Sequence, residues 1–272
     1  MSVSSAGKEG TVLSLEKEIT RLTGIMTRLR SPNGCPWDRE QTHASLLKCL
    51  IEECFEFYEA ALEKDAPKMC EELGDLLLQI VFHCQLAREA GQFDLAEVCA
   101  VLSDKLTRRH PHVFGETRVH DSDEVVTNWE AIKRKEKGNI GRKSRLDGIP
   151  AAMPAMLKAL KIQKRAAKAG FDWPEAAPIF DKIAEETAEL KAEVAGKDPE
   201  RMTEELGDLL FSVVNLARRL SVDPEEALYR TNAKFNRRFR DIETALEKEG
   251  KRMEDLPLAD LDRYWDAAKK RH

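Results

Sequence analysis

Carboxylates spaced three or four residues apart on a helix share one face, where they can hold a divalent cation and, through it, a phosphate-bearing ligand. The sequence carries two such groups: Glu52, Glu53 and Glu56 followed by Glu72 and Asp75, and Glu185, Glu186 and Glu189 followed by Glu205 and Asp208. A single acidic stripe usually marks only the solvated side of an amphipathic helix. Here the whole set recurs with its spacing intact. Like charges at i and i+4, as in Glu52 with Glu56 and Glu185 with Glu189, also repel by a few tenths of a kcal/mol per pair unless a cation neutralises them. An all-oxygen donor set suits Mg²⁺ or Mn²⁺, and a polyanion is the natural partner.

The second ingredient is basic. Lys105, Arg108 and Arg109 are spaced i, i+3 and i+4, as are Lys234, Arg237 and Arg238, so each trio shares a helix face. Arg forks and a Lys point charge match phosphate oxygens. Alone, such a trio reads as a cationic last turn complementing the helix dipole; its recurrence beside the acidic groups favours phosphate binding. Trp129 and Trp265 lie in charged stretches, where an indole can stack on a nucleobase or anchor an interface.

These groups sit in a repeat. EELGDLL at 71–77 recurs letter for letter at 204–210, and the EExxE segment keeps the same offset of 133 residues. At an offset of 129, the segment 93–110 aligns with 222–239, and each copy closes on a Trp followed by a basic tail. On α-helices, Leu50, Ile51, Cys54, Phe55, Phe57, Tyr58 and Leu62 form an apolar arc opposite Glu52, Glu53 and Glu56. Phe180, Ile183, Thr187, Leu190 and Val194 repeat it opposite the second trio. On the following helix, Lys68, Glu72, Asp75, Gln79 and His83 form a polar stripe beside Leu73, Leu77, Ile80 and Val81. Asp94 and Asp223 are expected N-caps, with Pro224 at the first helical position. Each copy is expected to hold about four helices.

Charged residues make up 34% of the 272, hydrophobic ones 42% and aromatics 6%, a composition that favours solvated helices around a real core. The expected fold class is all-α, in two tandem modules: a disordered tail over 1–14, a first module over 15–137, a linker over 138–150 and a second module over 151–272. A net charge of −5 and a pI near 5.8 argue against a broad nucleic-acid surface. The absence of an apolar run of signal or membrane length places the protein in the cytoplasm. All six cysteines fall in the first 100 residues without a CxxC pair and read as small buried hydrophobes rather than zinc ligands or disulfides. Trp37 and Trp173, near turn signals, are expected to pack or cap.

With these motifs in view the sequence resembles the MazG-type nucleoside triphosphate pyrophosphohydrolases of the all-α NTP pyrophosphatase superfamily, marked by EExxE and then ExxD. The resemblance rests on CPWDREQTH (35–43), the acidic groups, DKLTRRHPHVF (104–114), KIQKRAAKAGFDW (161–173) and KFNRRF (234–239). It implies Mg²⁺-dependent cleavage of a nucleoside triphosphate to monophosphate and pyrophosphate, broad base tolerance, and four-helix units completed by homodimerisation. By motif position it assigns metal binding to Glu186, Glu189, Glu205 and Asp208, and to Glu53, Glu56, Glu72 and Asp75. It assigns nucleotide contacts to Lys182, Lys234, Arg238 and Trp265. Glu185 and Glu52 are candidate general bases by proximity alone.

The copies are not identical. Cys49 stands where the second copy has Lys182, and His110 where it has Phe239, so the first copy either binds substrate differently or serves as scaffold. A di-iron site would need Glu-x-x-His from two helices, and only Glu40 with His43 fits. A non-catalytic nucleotide sensor or dimerisation scaffold uses the same ligands and stays open at this level.

Overall fold

The computed structural model describes residues 14–136 and 143–271, so most of the expected tail and residues 138–142 of the expected linker lie outside it. Among the described residues all regular structure is helical. The chain divides into two compact units, Met1–Arg134 and Lys135–His272. Residues 143–150, expected as linker, connect to the second unit: the Arg165 guanidinium donates to the carbonyls of Arg145 and Asp147 at 3.3 and 2.7 Å.

In the first unit, α1 (Leu15–Leu29) and the short α2 (Pro36–Glu40) precede a hairpin of α3 (Leu47–Glu63) and α4 (Ala66–Glu89). Then follow α5 (Leu95–Arg109), the one-turn α6 (Pro111–Phe114) and α7 (Ser122–Lys135). The core is small: Met26, Leu46, Val81 and Phe82 are buried, flanked by Leu22, Leu77, Leu86 and Leu95. Helix α1 therefore covers the C-terminal half of α4, away from the α3–α4 turn. Arg30 fastens that end, donating to Glu89 at 2.8 to 3.0 Å while its guanidinium lies over the Phe82 ring.

The second unit repeats the plan with α8 (Ala155–Lys168), the hairpin α9 (Ala177–Gly196) and α10 (Pro199–Arg219), α11 (Pro224–Lys248) and α12 (Leu258–Lys269). Leu160, Ile179, Val214, Ile242, Leu246 and Ala268 are its buried apolar residues. Helix α8 packs on α10 and α11, and α12 packs back along α11. Asp172 joins Arg218 as an ion pair that ties the loop before α9 to the end of α10.

Both hairpins turn on the same two residues. Lys64 and Lys197 end the first helix in the left-handed region, each at φ 58°, a conformation unusual for a side-chain-bearing residue. Asp65 and Asp198 then cap the next helix, Asp65 accepting from Lys68 N and Asp198 from Glu200 N and Arg201 N. The expected caps Asp94 and Asp223 are present too, on α5 and α11, with Pro224 at the first helical position.

One expectation fails. Only Cys84 of the six cysteines is buried; Cys54, Cys70 and Cys99 are exposed and Cys35 and Cys49 half-buried, although all six are free thiols. Cys54 fails because it belongs to the outer arc of α3, which no other part of its unit covers. Trp37, on α2, is 56% exposed and Trp173, in the segment before α9, 40% exposed, so each indole is partly covered. Among the described residues no helix is long and apolar enough to cross a membrane.

Because Asp198 satisfies two otherwise unpaired N–H groups at the turn of the second hairpin, Asp198→Ala should lower the stability of that unit by about 1 kcal/mol. Urea unfolding followed by circular dichroism measures this, with exposed Lys191→Ala as a control expected to change little.

Candidate metal and phosphate site

The positions of the carboxylates follow from the turn. Glu56 lies eight residues before Lys64 and Glu72 eight after it, while Glu53 and Asp75 lie eleven before and after. A rise of 1.5 Å per residue puts the inner pair about 12 Å and the outer pair about 16 Å from the bend. Equal distances along two antiparallel helices bring each pair face to face. The second hairpin has the same arithmetic about Lys197, pairing Glu189 with Glu205 and Glu186 with Asp208. This mirror spacing is legible in the sequence once the turn is known, and the turn residues are the signal that motif reading passed over.

In space, oxygens of Glu53, Glu56 and Glu72 lie within 4.8 Å of one another, as do those of Glu186, Glu205 and Asp208. The trios are not the same: Glu56 completes the first and Asp208 the second. Asp75 and Glu189, the remaining members of each quartet, act on these groups as neighbouring charges. Burial and then Asp75, Glu56 and Glu52 push the Glu53 carboxyl above the usual carboxylate range. Burial and then Glu56 push up Glu72, and burial followed by Glu189, Glu186 and Asp208 pushes up Glu205. Anionic oxygens this close, with Glu72 and Glu186 only 6% and 4% exposed, fit a hard divalent cation and do not fit each other without one.

The polar stripe of α4 faces inward and part of its apolar neighbour faces out. Glu72 and Gln79 are buried and His83 half-buried, whereas Leu73 and Ile80 are exposed. On α3, Ile51 is 56% and Phe55 59% exposed, and on α9 Phe180 and Val194 are exposed likewise. Each hairpin thus buries one acid of its trio, Glu72 or Glu186, leaves Glu56 and Asp208 open to solvent, and presents an apolar outer face.

Lys182 is the clearest difference between the units. Its ammonium lies 2.7 Å from Glu186 and 3.0 Å from Glu185, contacts that the i+3 and i+4 spacing allows. These two carboxylates raise its pKa, Glu186 first. At the matching position the first unit has the half-buried Cys49. The first unit instead has a histidine pair, His43 and His83, stacked at 5.0 Å with their Nδ1 atoms 2.8 Å apart. Beside it in sequence, Gln79 Oε1 is buried without a hydrogen-bond partner, as is His83 Nε2. The second unit has Ala176, Ser212 and Leu216 at these three positions.

The basic trios lie on α5 and α11. Lys234 and Arg237 are exposed, while Arg238 is half-buried with its guanidinium 5.7 Å from the centre of the Trp265 ring. Phe235 packs against the same indole at 5.1 Å. In the first unit Lys105 and Arg109 are half-buried and Arg108 exposed. Arg109 and Lys133 lie 5.1 and 4.8 Å from the Trp129 ring centre. The recurring Trp is therefore matched by a recurring cation–π contact, which holds the Arg at the end of each trio over the indole. Glu185 is exposed and shares the Lys182 ammonium with Glu186, and Glu52 is exposed on α3.

Carboxyls whose pKa is raised by folding oppose the fold when charged. That opposition is full above the raised pKa, eases as pH falls through it, and is gone below the unfolded value of 4.5. In EDTA, Glu205→Gln should therefore raise the melting midpoint at pH 7, with a gain that shrinks as the pH approaches 4.5. Differential scanning fluorimetry across that range checks both the sign and the slope.

A model of the MazG nucleotide pyrophosphohydrolase domain matches this chain twice, over residues 41–114 and 177–242, which bracket both carboxylate hairpins. The nucleoside triphosphate pyrophosphohydrolase/pyrophosphatase MazG of Thermotoga maritima is 50% identical to it, covering 91% of this chain and 94% of its own length. The nucleoside triphosphate pyrophosphohydrolase of Escherichia coli K12 is 45% identical over 93% of this chain and 97% of its own. An uncharacterised protein of Bacillus subtilis, YabN, is 46% identical over 94% of this chain and 52% of its own length. With both copies of the domain matched and relatives aligned over nine-tenths of its length, the chain belongs to the MazG nucleotide pyrophosphohydrolase family.

Proposed function

We propose that this chain hydrolyses nucleoside triphosphates to the monophosphate and pyrophosphate at its carboxylate hairpins, with Mg²⁺ or Mn²⁺ as cofactor. The observation that carries this reading is the pair of acidic trios, each with its oxygens within 4.8 Å and one buried member, in a chain of this family. Glu186, Glu189, Glu205 and Asp208 hold the cation in the second unit, and Glu53, Glu56, Glu72 and Asp75 in the first. When bound, such an ion draws charge from phosphate oxygens and acidifies water.

The chain's own side chains do the rest. Lys182, Lys234, Arg237 and Arg238 bind and orient the phosphates of the substrate, and Lys105, Arg108 and Arg109 are their counterparts in the first unit. Trp265 lies where a base can stack, its position fixed by Phe235 and Arg238. Glu185, exposed and next to Glu186 in sequence, accepts the proton of the attacking water, with Glu52 as its first-unit equivalent. Since Cys49 cannot supply the charge that Lys182 does, the second unit carries most of the turnover.

The exposed apolar faces of α3, α4, α9 and α10 support a homodimer in which a second copy covers them. Six free thiols accord with a cytoplasmic location.

Turnover with mixed nucleoside triphosphates and Mg²⁺ should release pyrophosphate and be abolished by excess EDTA; binding without release would instead mark a nucleotide sensor. Glu205→Gln and Asp208→Asn should each lower kcat by about a hundredfold or more with helicity retained. Glu72→Gln and Asp75→Asn should leave a large part of the rate, and equal losses in the two units would make both catalytic. Sedimentation should find twice the 30.8 kDa chain mass.

A further inference from the structure

Lys182 occupies an unexpected position for a residue whose task is to hold substrate. Its ammonium is already engaged, 2.7 Å from an oxygen of Glu186 and 3.0 Å from one of Glu185. Glu186 is buried, with a side chain only 5% exposed, and belongs to the trio whose oxygens lie within 4.8 Å. The ammonium sits beside that trio as its internal counter-charge. A divalent cation and an ammonium cannot both take full advantage of the same buried carboxylate, since each charge weakens the other's attraction for it.

Resting on the reading of these trios as metal sites, we infer that Lys182 acts as a placeholder in the second unit. It holds Glu186 while the site is empty and is displaced on metal binding, and only then turns to the substrate phosphates. By thermodynamic reciprocity, metal and nucleotide then favour each other's binding at this site, each freeing a group that the other needs. The first unit lacks the device. Cys49 takes the place of Lys182 there, one helical turn before Glu53, so no ammonium is paired to the trio from that position; Lys68, one turn before Glu72, pairs instead with Glu59 at 3.4 Å, outside the trio. The first unit takes metal without help from nucleotide, and the second couples the two.

The length and position of the side chain make the transfer geometrically simple. Lys182 is half-buried on α9 with a side chain 35% exposed, and four rotatable carbon bonds let its ammonium swing from Glu186 toward solvent without moving the helix. The neighbouring contact to Glu185 has the more exposed partner, 56% against 5%, and gives an intermediate station outside the trio.

The test separates metal binding from catalysis. Mn²⁺ binding to the full chain is followed by electron paramagnetic resonance without nucleotide, in a Glu53→Gln, Glu72→Gln background that leaves only the second site. Lys182→Met should tighten Mn²⁺ binding by about 5- to 150-fold. In the reciprocal Glu205→Gln, Asp208→Asn background, which leaves only the first site, Cys49→Lys should weaken it. Affinity for a non-hydrolysable α,β-methylene triphosphate is measured in parallel with the second site intact. The loss caused by Lys182→Met should be large in Mg²⁺ and small in EDTA, because the ammonium is held by Glu186 when metal is absent. An equal loss in both conditions, or Mn²⁺ binding indifferent to Lys182, overturns the placeholder role while leaving the metal site in place. Absence of Mn²⁺ binding at the second site even in Lys182→Met overturns the metal reading itself.

Discussion

Everything distinctive in this molecule depends on carboxylates being held against one another across a helical hairpin. Left to themselves, Glu56 with Glu72 and Glu53 with Asp75 would separate, because each adds charge beside charge in a poorly solvated space. They stay because the backbone gives them no choice. The left-handed lysine and the capping aspartate at 64–65 and 197–198 set the register of both hairpins. A one-residue change there would rotate the second helix by about 100° and carry its acids off the shared face. The core sits at the far end, where Met26 and Phe82 brace α1 against α4, so the strain of the acidic end is borne by packing elsewhere.

Turning the acid-bearing faces of two helices toward each other leaves the apolar side of each hairpin outward. For an isolated two-helix unit this is the reverse of ordinary amphipathic packing, in which polar residues face water. The arrangement becomes favourable when cations neutralise the interior and a further surface covers the exterior. The exposed Ile51, Phe55, Phe180 and Val194 and the exposed thiol of Cys54 are consequences of the same inversion. In the function proposed above, metal binding and association are two halves of one stabilising scheme.

The two units share this scheme and diverge in what surrounds it. One replaces a lysine by a cysteine and adds two histidines and a glutamine, of which Gln79 Oε1 and His83 Nε2 are buried without a partner. The other keeps an ammonium against its buried glutamate. A duplicated hairpin conserves the constraint that makes a site possible, while single side chains one turn away decide how that site behaves.

The sequence by itself determined the helical class, the duplication, the caps at Asp94 and Asp223, and a quartet of carboxylates in each copy, three of which the structure gathers. These are properties of spacing and local propensity, and the helix carries spacing directly into space. Tertiary structure alone decided which faces are inside. Periodicity shows that a helix has two sides but not which of them meets a neighbour, so the exposure of Cys54 and Phe55 was not legible in it. It also decided the membership of each trio, because whether Glu56 or Asp208 completes the set depends on side-chain rotamers across the hairpin. Lys182 lies between the two cases: its spacing permitted the pair with Glu186, and only the burial of that glutamate made the pair consequential.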